Sequence, residues 1–381
     1  MSTRVVHYCN QLGLGGTEGT LDLMCRNLDS SRFEPWVVTR ALPSLRSPLR
    51  TQVMSGLSHA RRQAWRAKLE GLEQFHARKP ALEAALGPGR VVLAKDDAEL
   101  REIILDLDPT ILHVHYSGYP EPPTCDPELM RRIPVVVTTN QFELENTAPS
   151  HQFVKRIFFV SRWLLENKAR WALNDSRATV MYNPVQAPLS QANLRGDLGI
   201  PEDAFVIGRV GRSDPHIFDP ISLEAYHRVR EAHWYFVALA PSASMVRRAK
   251  DLGVQNFLAL PPTRNEHYLS MLYNTMDVFA HARRDGETFG CAIAEAMIHG
   301  LPVVSHRSPW MNAQEEIIGD AGFICEYDPD HYGLRLRQLA LDAELRFALG
   351  RRAHERAVAE FEVHQIGKRL ESEYEFLIER A

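Results

Sequence analysis

Short apolar runs alternate along the chain with longer stretches in which apolar residues recur at helical spacing. Val5–Cys9 and Phe205–Val210 are runs of strand length, and a helical pattern follows the first of them from about Thr17 to Leu28. Strands that alternate with helices pair as parallel sheets with helices covering both faces. The pattern therefore predicts an α/β protein.

The order of strand, glycine turn and helix occurs twice. Gly13–Gly16 follows the first strand and Gly211–Ser213 follows Phe205–Val210, with a proline-bearing polar stretch from Pro184 to Gly199 between them. Such a stretch is typical of a linker, and 381 residues exceed one ordinary domain. We predict two doubly wound Rossmann-like domains, residues 1–182 and residues 183–362, and a helix of residues 363–381 that packs back on the first domain.

Composition narrows the class of protein without selecting a function. Apolar residues make up 45% of the chain and charged residues 24%, and the net charge is −4, so nothing favours nucleic acid as a partner. The five cysteines are widely spaced and form no CxxC pair, which argues against a disulfide framework and a zinc site. No signal-like segment and no membrane-length apolar run is present. We expect a cytoplasmic location.

The segment from Glu287 to Met297 carries the strongest candidate chemistry. From Cys291 to Met297 every residue is apolar or small except Glu295, which predicts a buried helix that holds one carboxylate. The eight-residue spacing between the two glutamates gives about 12 Å along a helix. That separation exceeds the roughly 5–9.5 Å between glycosidase carboxylates, so the two acids would contact opposite ends of one ligand.

A ligand between the two acids would meet the start of this helix. The backbone N–H groups of Phe289, Gly290 and Cys291 would lie at the helix N-terminus, where phosphate binds well. An elongated ligand with a phosphate in its middle fits this arrangement. The alternative from the residues alone is that Glu287 is exposed and Glu295 is paired within the protein.

Two glycine turns are weaker candidates. Gly211 follows a strand, where a glycine lets the backbone approach a ligand, and Arg212 beside it could bind a phosphate through two hydrogen bonds; the alternative is an exposed arginine in a turn. Gly13–Gly16 resembles a nucleotide-binding turn, but Glu18 breaks the GxGxxG pattern and no P-loop lysine follows. The alternative there is a plain tight turn.

Histidines and a basic segment leave further alternatives open. His7, His113 and His115 lie in strand-like runs, which is more typical of core or rim positions than of catalysis, and Asp106–Asp108 nearby adds no convincing metal-ligand spacing. We predict no metal site. Residues 46–79 contain eight Lys or Arg against two Glu. They form either a solvated helix face or a contact with an anionic acceptor or a membrane surface.

Taken in order, these motifs resemble the retaining GT-B glycosyltransferases of family 4, also called glycosyl transferases group 1. The resemblance covers most of the chain. It rests on the Gly15–Glu18 turn, the Met181–Val185 run into the linker, the Leu198–Arg212 opening of the second domain, and the Glu287–Met297 signature with Gly300–Val304 after it. It implies a GT-B architecture in which two doubly wound Rossmann-like domains face a deep interdomain cleft.

The resemblance implies a role for each matching residue. Glu287 would contact the donor sugar and Arg212 would neutralise its diphosphate, as the catalytic pair. The implied donor-binding residues are Glu295 on the ribose hydroxyls, Phe289, Gly290 and Cys291 on the diphosphate, and Gly211, Arg283 and Arg284 around it. The implied residues on the acceptor side of the cleft are Gly15, Gly16, His115 and Asn140. Such enzymes need neither a metal nor a protein nucleophile, because the leaving phosphate helps to deprotonate the acceptor.

Two positions depart from the family pattern. A lysine usually follows the arginine of the Gly211–Arg212 turn within a few residues, and this chain has Ile217 there. This departure weakens the phosphate clamp unless Arg209, Arg283 or Arg284 compensates. A histidine is also common directly after the strand ending at Thr139, where this chain has Asn140; its loss removes a polar group near the reacting sugar.

We therefore predict a cytoplasmic, retaining, metal-independent glycosyltransferase of hexosyltransferase type that requires no cofactor. It would move a sugar from a nucleotide-sugar donor to a glycan, lipid-linked or small-molecule acceptor, with residues 46–79 available for peripheral membrane contact. Two alternatives stay open: a nucleotide-sugar-binding scaffold with weakened turnover, and a nucleotide-sugar epimerase. The sequence leaves the base and sugar of the donor, the acceptor and the oligomeric state undetermined.

Overall fold

The computed structural model describes residues 2–41, 74–214 and 217–381; most of the basic segment 46–79 therefore lies outside the described residues. The chain divides into two compact units. The first consists of Met1–Phe159, Trp171–Thr179 and Gly367–Ala381, and the second of Val160–Arg170 and Val180–Ile366. The sequence predicts that the chain crosses between the units after residue 182 and again after residue 362. The structure places these crossings after residues 179 and 366, and it also groups residues 160–170 with the second unit.

The described elements follow the predicted alternation of strands and helices. In chain order they are β1 Thr3–Tyr8, α1 Gly16–Arg26, β2 Phe33–Arg40, α2 Lys79–Leu86, β3 Val91–Ala94, α3 Asp97–Leu107, β4 Ile111–Tyr116, α4 Pro127–Arg132, β5 Val135–Asn140, β6 Val154–Phe159, α5 Arg162–Asn167, β7 Ala178–Val180, α6 Arg195–Leu198, β8 Phe205–Val210, α7 Ile221–Val229, β9 Trp234–Leu239, α8 Ala243–Asp251, β10 Phe257–Leu260, α9 Glu266–Thr275, β11 Val278–Ala280, α10 Cys291–Ile298, β12 Val303–His306, α11 Ala313–Ile318, β13 Gly322–Cys325, α12 Pro329–Leu341, α13 Ala343–Glu360 and α14 Val363–Ile378. Short 3₁₀ helices lie at Gln74–His76, Pro149–Phe153 and Arg170–Ala172.

The first unit is built on a sheet with the described order β3-β2-β1-β4-β5-β6-β7. Neighbouring strands from β3 to β6 run parallel, and Val5 on β1 pairs with Ile111 on β4. The central strands β4 and β5 are buried along their whole length, as parallel strands covered on both faces must be. In the same unit Tyr374, on α14, stacks edge-on against Phe33.

The second unit repeats this order. Its described sheet runs β10-β9-β8-β11-β12-β13, and all neighbouring pairs are parallel. In each unit the first strand is central and the order reverses beside it, between β1 and β4 and between β8 and β11. These findings confirm the predicted α/β, doubly wound architecture. None of the helices in the described ranges has the length and apolar character needed to cross a bilayer.

Candidate donor site

The carboxyl edge of the second sheet brings the strongest candidate residues together. The loops that begin at Gly211, after β8, and at His281, after β11, flank the point where the strand order reverses. In doubly wound sheets the ligand crevice lies at this point. The N–H of Asp219 donates to the carbonyl of Ala282 at 3.3 Å, which joins the two loops.

Arg209 connects the two loops by hydrogen bonds to their main chains. Its guanidinium donates to the carbonyls of Val210, Ile217 and Ala282, at 2.9 Å for Ile217, and lies 5.1 Å from the centre of the Phe218 ring. Burial lowers the pKa of Arg209 to about 10, so the group stays charged near neutral pH. Arg209 is 2% exposed, and its guanidinium is committed to the main chain of the two loops. It therefore does not replace the positive charge of the lysine that Ile217 lacks.

Glu287 is held by two cationic or donor side chains. Nη1 of Arg283 donates to one carboxylate oxygen at 2.9 Å, and Nε2 of His281 lies 3.0 Å from the other. Its own N–H donates to Oε1 of Gln314 at 3.1 Å. Burial would raise the pKa of Glu287, but the His281 hydrogen bond and the charges of Arg283 and Arg209 outweigh it and lower the pKa to about 2. Glu287 is therefore a fixed, fully ionised carboxylate with 15% of its side chain exposed.

The hydrogen bonds of His281 determine where its proton lies. Burial lowers its pKa to about 4, so the ring is neutral near pH 7. A carboxylate only accepts hydrogen bonds, so Nε2 of His281 donates to Glu287, and Nδ1 accepts from Ser305 Oγ at 3.0 Å. His281 thus orients Glu287 as a neutral donor.

The helix that follows Glu287 begins after this residue, whereas the sequence analysis placed both glutamates on one helix. α10 begins at Cys291, after Gly290 at φ 96°, a conformation that favours glycine. Glu287 lies in the preceding turn, so the estimate of about 12 Å along a continuous helix is wrong. Among the described hydrogen bonds, none uses the N–H of Phe289 or Gly290. These amides are available to an anion at the helix N-terminus.

Glu295 lies on the open side of this helix. Ile293, Ala294 and Met297 are buried, whereas Glu295 and Cys291 are partly exposed. The composition predicts a helix that is buried on every side. The structure shows instead that one side of the helix is partly exposed. The Tyr273 hydroxyl donates to Oε2 of Glu295 at 2.7 Å.

The predicted cations differ in their availability. Arg212 and Arg284 are exposed, and neither side chain makes a hydrogen bond or ion pair with any residue the structure describes. Arg283 is committed to Glu287. Gly211 is partly exposed at the start of the loop that carries Arg212. Arg212 and Arg284 are therefore the two cations that a ligand could use without breaking an existing pair.

The glycine turn of the first unit is occupied by its own carboxylate. Glu18 is buried at the start of α1, and a Cβ on Gly15 would lie only 2.2 Å from Glu18 Oε2. The side chain of Gln11 donates to Glu18. A side chain at position 15 would therefore displace the Glu18 carboxylate, and Gly16 is exposed beside it. The arrangement places negative charge where a phosphate-binding turn would need an open helix N-terminus.

Two predicted acceptor-side residues lie in the core of the first unit. His115 is 1% exposed and lies on the same face of β4 as His113. Asn140 is fully buried at the end of β5, and both polar atoms of its amide lack a partner among the described residues. The acceptor-side roles of His115 and Asn140 both stay predictions.

His115 belongs to a buried cluster with His7 and His113. One ring nitrogen from each lies within 4.8 Å of the others, and Nδ1 of His7 lies 3.1 Å from Nε2 of His115. The rings of His113 and His115 are stacked, with centres 4.1 Å apart and planes 22° apart. A metal binds in the plane of an imidazole ring, and two stacked rings cannot both direct a nitrogen at one ion. The cluster is a stacked core.

We expect this cluster to make the first unit acid-sensitive. Burial lowers the pKa of His7 to about 3 and lowers those of His113 and His115 well below their ordinary value. Below pH 6.5 the unfolded histidines bind protons that the folded ones do not, so stability falls as pH falls, by about 1.4 kcal/mol per pH unit for each histidine. His7→Phe should therefore reduce the difference between urea midpoints at pH 8 and pH 5.

The exposed His267 provides the control, because His267→Gln should leave that pH dependence as in the wild type. Equal pH dependence in His7→Phe and the wild type would contradict the role of the cluster.

Several side chains that contact Glu287 or Glu295 were not identified from the sequence. His281 follows β11 directly, and this place at the carboxyl end of a strand was the available signal. Tyr273 and Gln314 carried no such signal, because each lies in an ordinary helical pattern. Tyr273 contacts Glu295 and Gln314 contacts Glu287, and both partners are distant in the sequence.

Comparisons with known proteins bear on the family and the fold. Residues 190–356 match the family model described as Glycosyl transferases group 1. The chain is 28% identical over 184 residues to the D-inositol 3-phosphate glycosyltransferase of Saccharomonospora viridis and 29% identical over 178 residues to that of Corynebacterium urealyticum. These matches cover 45% and 43% of this chain, and 42% of each relative; the chain thus spans less than half the length of the curated relatives it matches.

Solved structures share the whole fold at low sequence identity. HepE of Anabaena, in complex with UDP and glucose, is 15% identical, has a TM-score of 0.71, and matches over 97% of this chain and 98% of its own. Sucrose-phosphate synthase of Thermosynechococcus elongatus is 12% identical with a TM-score of 0.68 over all of both chains. The GT-B fold is therefore confirmed, and the resemblance to glycosyl transferases group 1 is confirmed through residues 190–356.

Proposed function

We propose that this chain, whose fold is GT-B and whose residues 190–356 match glycosyl transferases group 1, transfers a sugar from a nucleotide-sugar donor to an acceptor hydroxyl. One observation carries the proposal. Glu287, fixed by His281 and Arg283, lies in the turn before α10, and the partly exposed side of that helix carries Glu295. In this turn the N–H groups of Phe289 and Gly290 make no hydrogen bond with any residue the structure describes. Sugar, diphosphate and ribose would each meet one of these groups.

The charges around the helix start suit a departing diphosphate. The amides of Phe289 and Gly290 and the guanidinium groups of Arg212 and Arg284 are donors that develop stronger hydrogen bonds as negative charge builds on the leaving oxygen. Because these groups are positioned before reaction, little reorganisation is required. Neutralisation by arginine and amides supports a metal-independent reaction.

We propose a retaining mechanism, which the same arrangement supports. The carboxylate of Glu287 is neutralised by Arg283 and oriented by His281, which suits a positioning contact with the donor sugar better than attack on it. The leaving phosphate would then help to deprotonate the acceptor on the face from which it departs. The first unit would bind the acceptor, which is a glycan, a lipid-linked sugar or a small molecule.

The donor can be identified by its effect on stability. A ligand that binds only the folded state at 100 times its Kd adds about 2.7 kcal/mol of stability, so a thermal-shift screen of UDP-, GDP-, ADP- and dTDP-sugars should give a higher Tm for one nucleotide class. UDP-glucose is the first to test, because HepE has been solved with it. The shift should persist in EDTA. No shift with any donor, or loss of the shift in EDTA, would contradict the proposal.

One alternative function has specific support. Ile217 stands where the family usually has a lysine, and its carbonyl accepts a hydrogen bond from Arg209. A scaffold that binds donor without turnover would show the thermal shift but release no free nucleotide when donor is incubated with candidate acceptors. Release of nucleotide above the background rate in that assay would exclude the scaffold.

A further inference from the structure

The hydroxyl of Tyr273 makes a contact that the proposed function leaves unused. Tyr273 lies in α9, which Asn265 caps by accepting from the N–H of Tyr268 at 3.0 Å. Its side chain is 1% exposed, and its hydroxyl donates to Oε2 of Glu295 at 2.7 Å. A group so buried cannot touch a ligand directly, but the carboxylate that it holds is partly exposed.

A second connection holds Glu295 through its main chain. Nδ1 of His299 lies 2.7 Å from the Glu295 carbonyl, and Nε2 lies 3.0 Å from Ser270 Oγ. A carbonyl only accepts, so Nδ1 carries the proton and Nε2 accepts from Ser270. The His299 ring stacks on Tyr273, with ring centres 4.9 Å apart and planes 29° apart.

We infer that Tyr273 is a positioning residue that fixes the carboxylate of Glu295 for the ribose hydroxyls of the donor. The inference rests on the proposed function, because it takes Glu295 as the group that binds the ribose. The Tyr273 hydroxyl restrains the carboxylate directly, and the His299 ring, which stacks on Tyr273, holds the main chain of the same residue.

The protonation state of Tyr273 supports a stable hydrogen bond from its hydroxyl to Glu295. Burial, followed by the charge of Glu295, raises the pKa of Tyr273 well above its usual range, so the phenol remains protonated and can only donate to Glu295. A carboxylate offers about four acceptor positions, and Tyr273 occupies one of them. A carboxylate held in one rotamer loses less conformational freedom when a diol binds to it.

The test compares nucleotides with and without the ribose hydroxyls. Calorimetry would measure the Kd of UDP and of 2′,3′-dideoxy-UDP for the full chain and for Tyr273→Phe; GDP and its dideoxy analogue replace them if the donor screen selects guanosine. Loss of one hydrogen bond to a charged group should weaken UDP binding about tenfold. Binding of the dideoxy nucleotide should not change, because that ligand does not use the oriented carboxylate.

Tyr226→Phe is the matched control. Tyr226 is also fully buried in the second unit, and its hydroxyl donates to the Trp234 carbonyl at the same distance of 2.7 Å. This variant should lose stability to a similar degree but keep the wild-type ratio of the two Kd values. Equal loss of both nucleotides in Tyr273→Phe, or no loss of either, would overturn the positioning role.

Glu295→Gln separates this inference from the proposed function. If Glu295→Gln abolishes the preference for UDP over its dideoxy analogue and Tyr273→Phe does not reduce it, only the inference fails. If Glu295→Gln keeps the full preference, the ribose role of Glu295 fails, and with it the proposed donor site.

Discussion

Replacing Glu287 with glutamine is expected to reduce sugar transfer about 10³-fold with little change in nucleotide affinity, because the lost group is a preorganised charge at the reacting sugar. The carboxylate receives hydrogen bonds from His281 and Arg283 on opposite oxygens. Glutamine keeps the size of the side chain but removes the charge and presents an N–H₂ group to one of these two donors. Initial rates of nucleotide release and calorimetry with UDP would measure the two effects separately.

A nearby glutamate provides the control for this variant. Glu315 lies on α11 and pairs only with the exposed Arg307 among the described ion pairs. Glu315→Gln should keep both transfer and affinity, and a thermal melt should show that Glu287→Gln remains folded. Wild-type transfer by folded Glu287→Gln would contradict the role assigned to Glu287.

Replacing Glu295 with alanine is expected to weaken nucleotide binding about 100-fold, because two hydrogen bonds from a ribose to a charged acceptor are lost. The carboxylate is partly exposed on α10, and Tyr273 holds it in place. The effect should fall on Kd and KM, whereas kcat at saturating donor should change less. Calorimetry with UDP and a donor saturation curve would show this division.

An exposed glutamate on another helix tests the specificity of that effect. Glu344 lies in the first turn of α13 and is exposed, so Glu344→Ala should leave UDP affinity unchanged. Equal affinity for UDP in Glu295→Ala and the wild type would show that the ribose does not bind at Glu295.

The fold could be predicted from local patterns because each element carries its own signal. The apolar run Phe205–Val210 became β8 without a change of bounds, and the helix expected after Gly290 became α10. A strand followed by a glycine turn, occurring twice, was enough to indicate two doubly wound units. The bounds of the units were less predictable, because residues 160–170 join the second unit through contacts that are distant in sequence.

The site was predictable as a set of residues but not as a network. The spacing of Glu287 and Glu295 indicated two roles, yet it assigned both to one helix, whereas Glu287 lies in the turn held by Gln314. Arg209 was an equal candidate with Arg284 for binding a ligand. Only the carbonyl positions of the two loops show that Arg209 is committed to the main chain.

His115 shows a further limit of sequence patterns. The strand-like runs of the three histidines favoured core or rim positions, whereas the family resemblance placed His115 on the acceptor side of the cleft. Three histidines on one face of two paired strands, with His7 opposite His113, pack on one another. Period-two alternation identifies residues that share a face, but it does not show which face is covered.

The central claim is that the carboxyl edge of the second sheet binds the donor. A crystal structure of the full chain with the nucleoside diphosphate selected by the thermal screen tests it most directly. The account predicts the diphosphate against the amides of Phe289 and Gly290 and the ribose hydroxyls within hydrogen-bonding distance of Glu295. A nucleotide bound at any other place, with these amides and this carboxylate unoccupied, would contradict it.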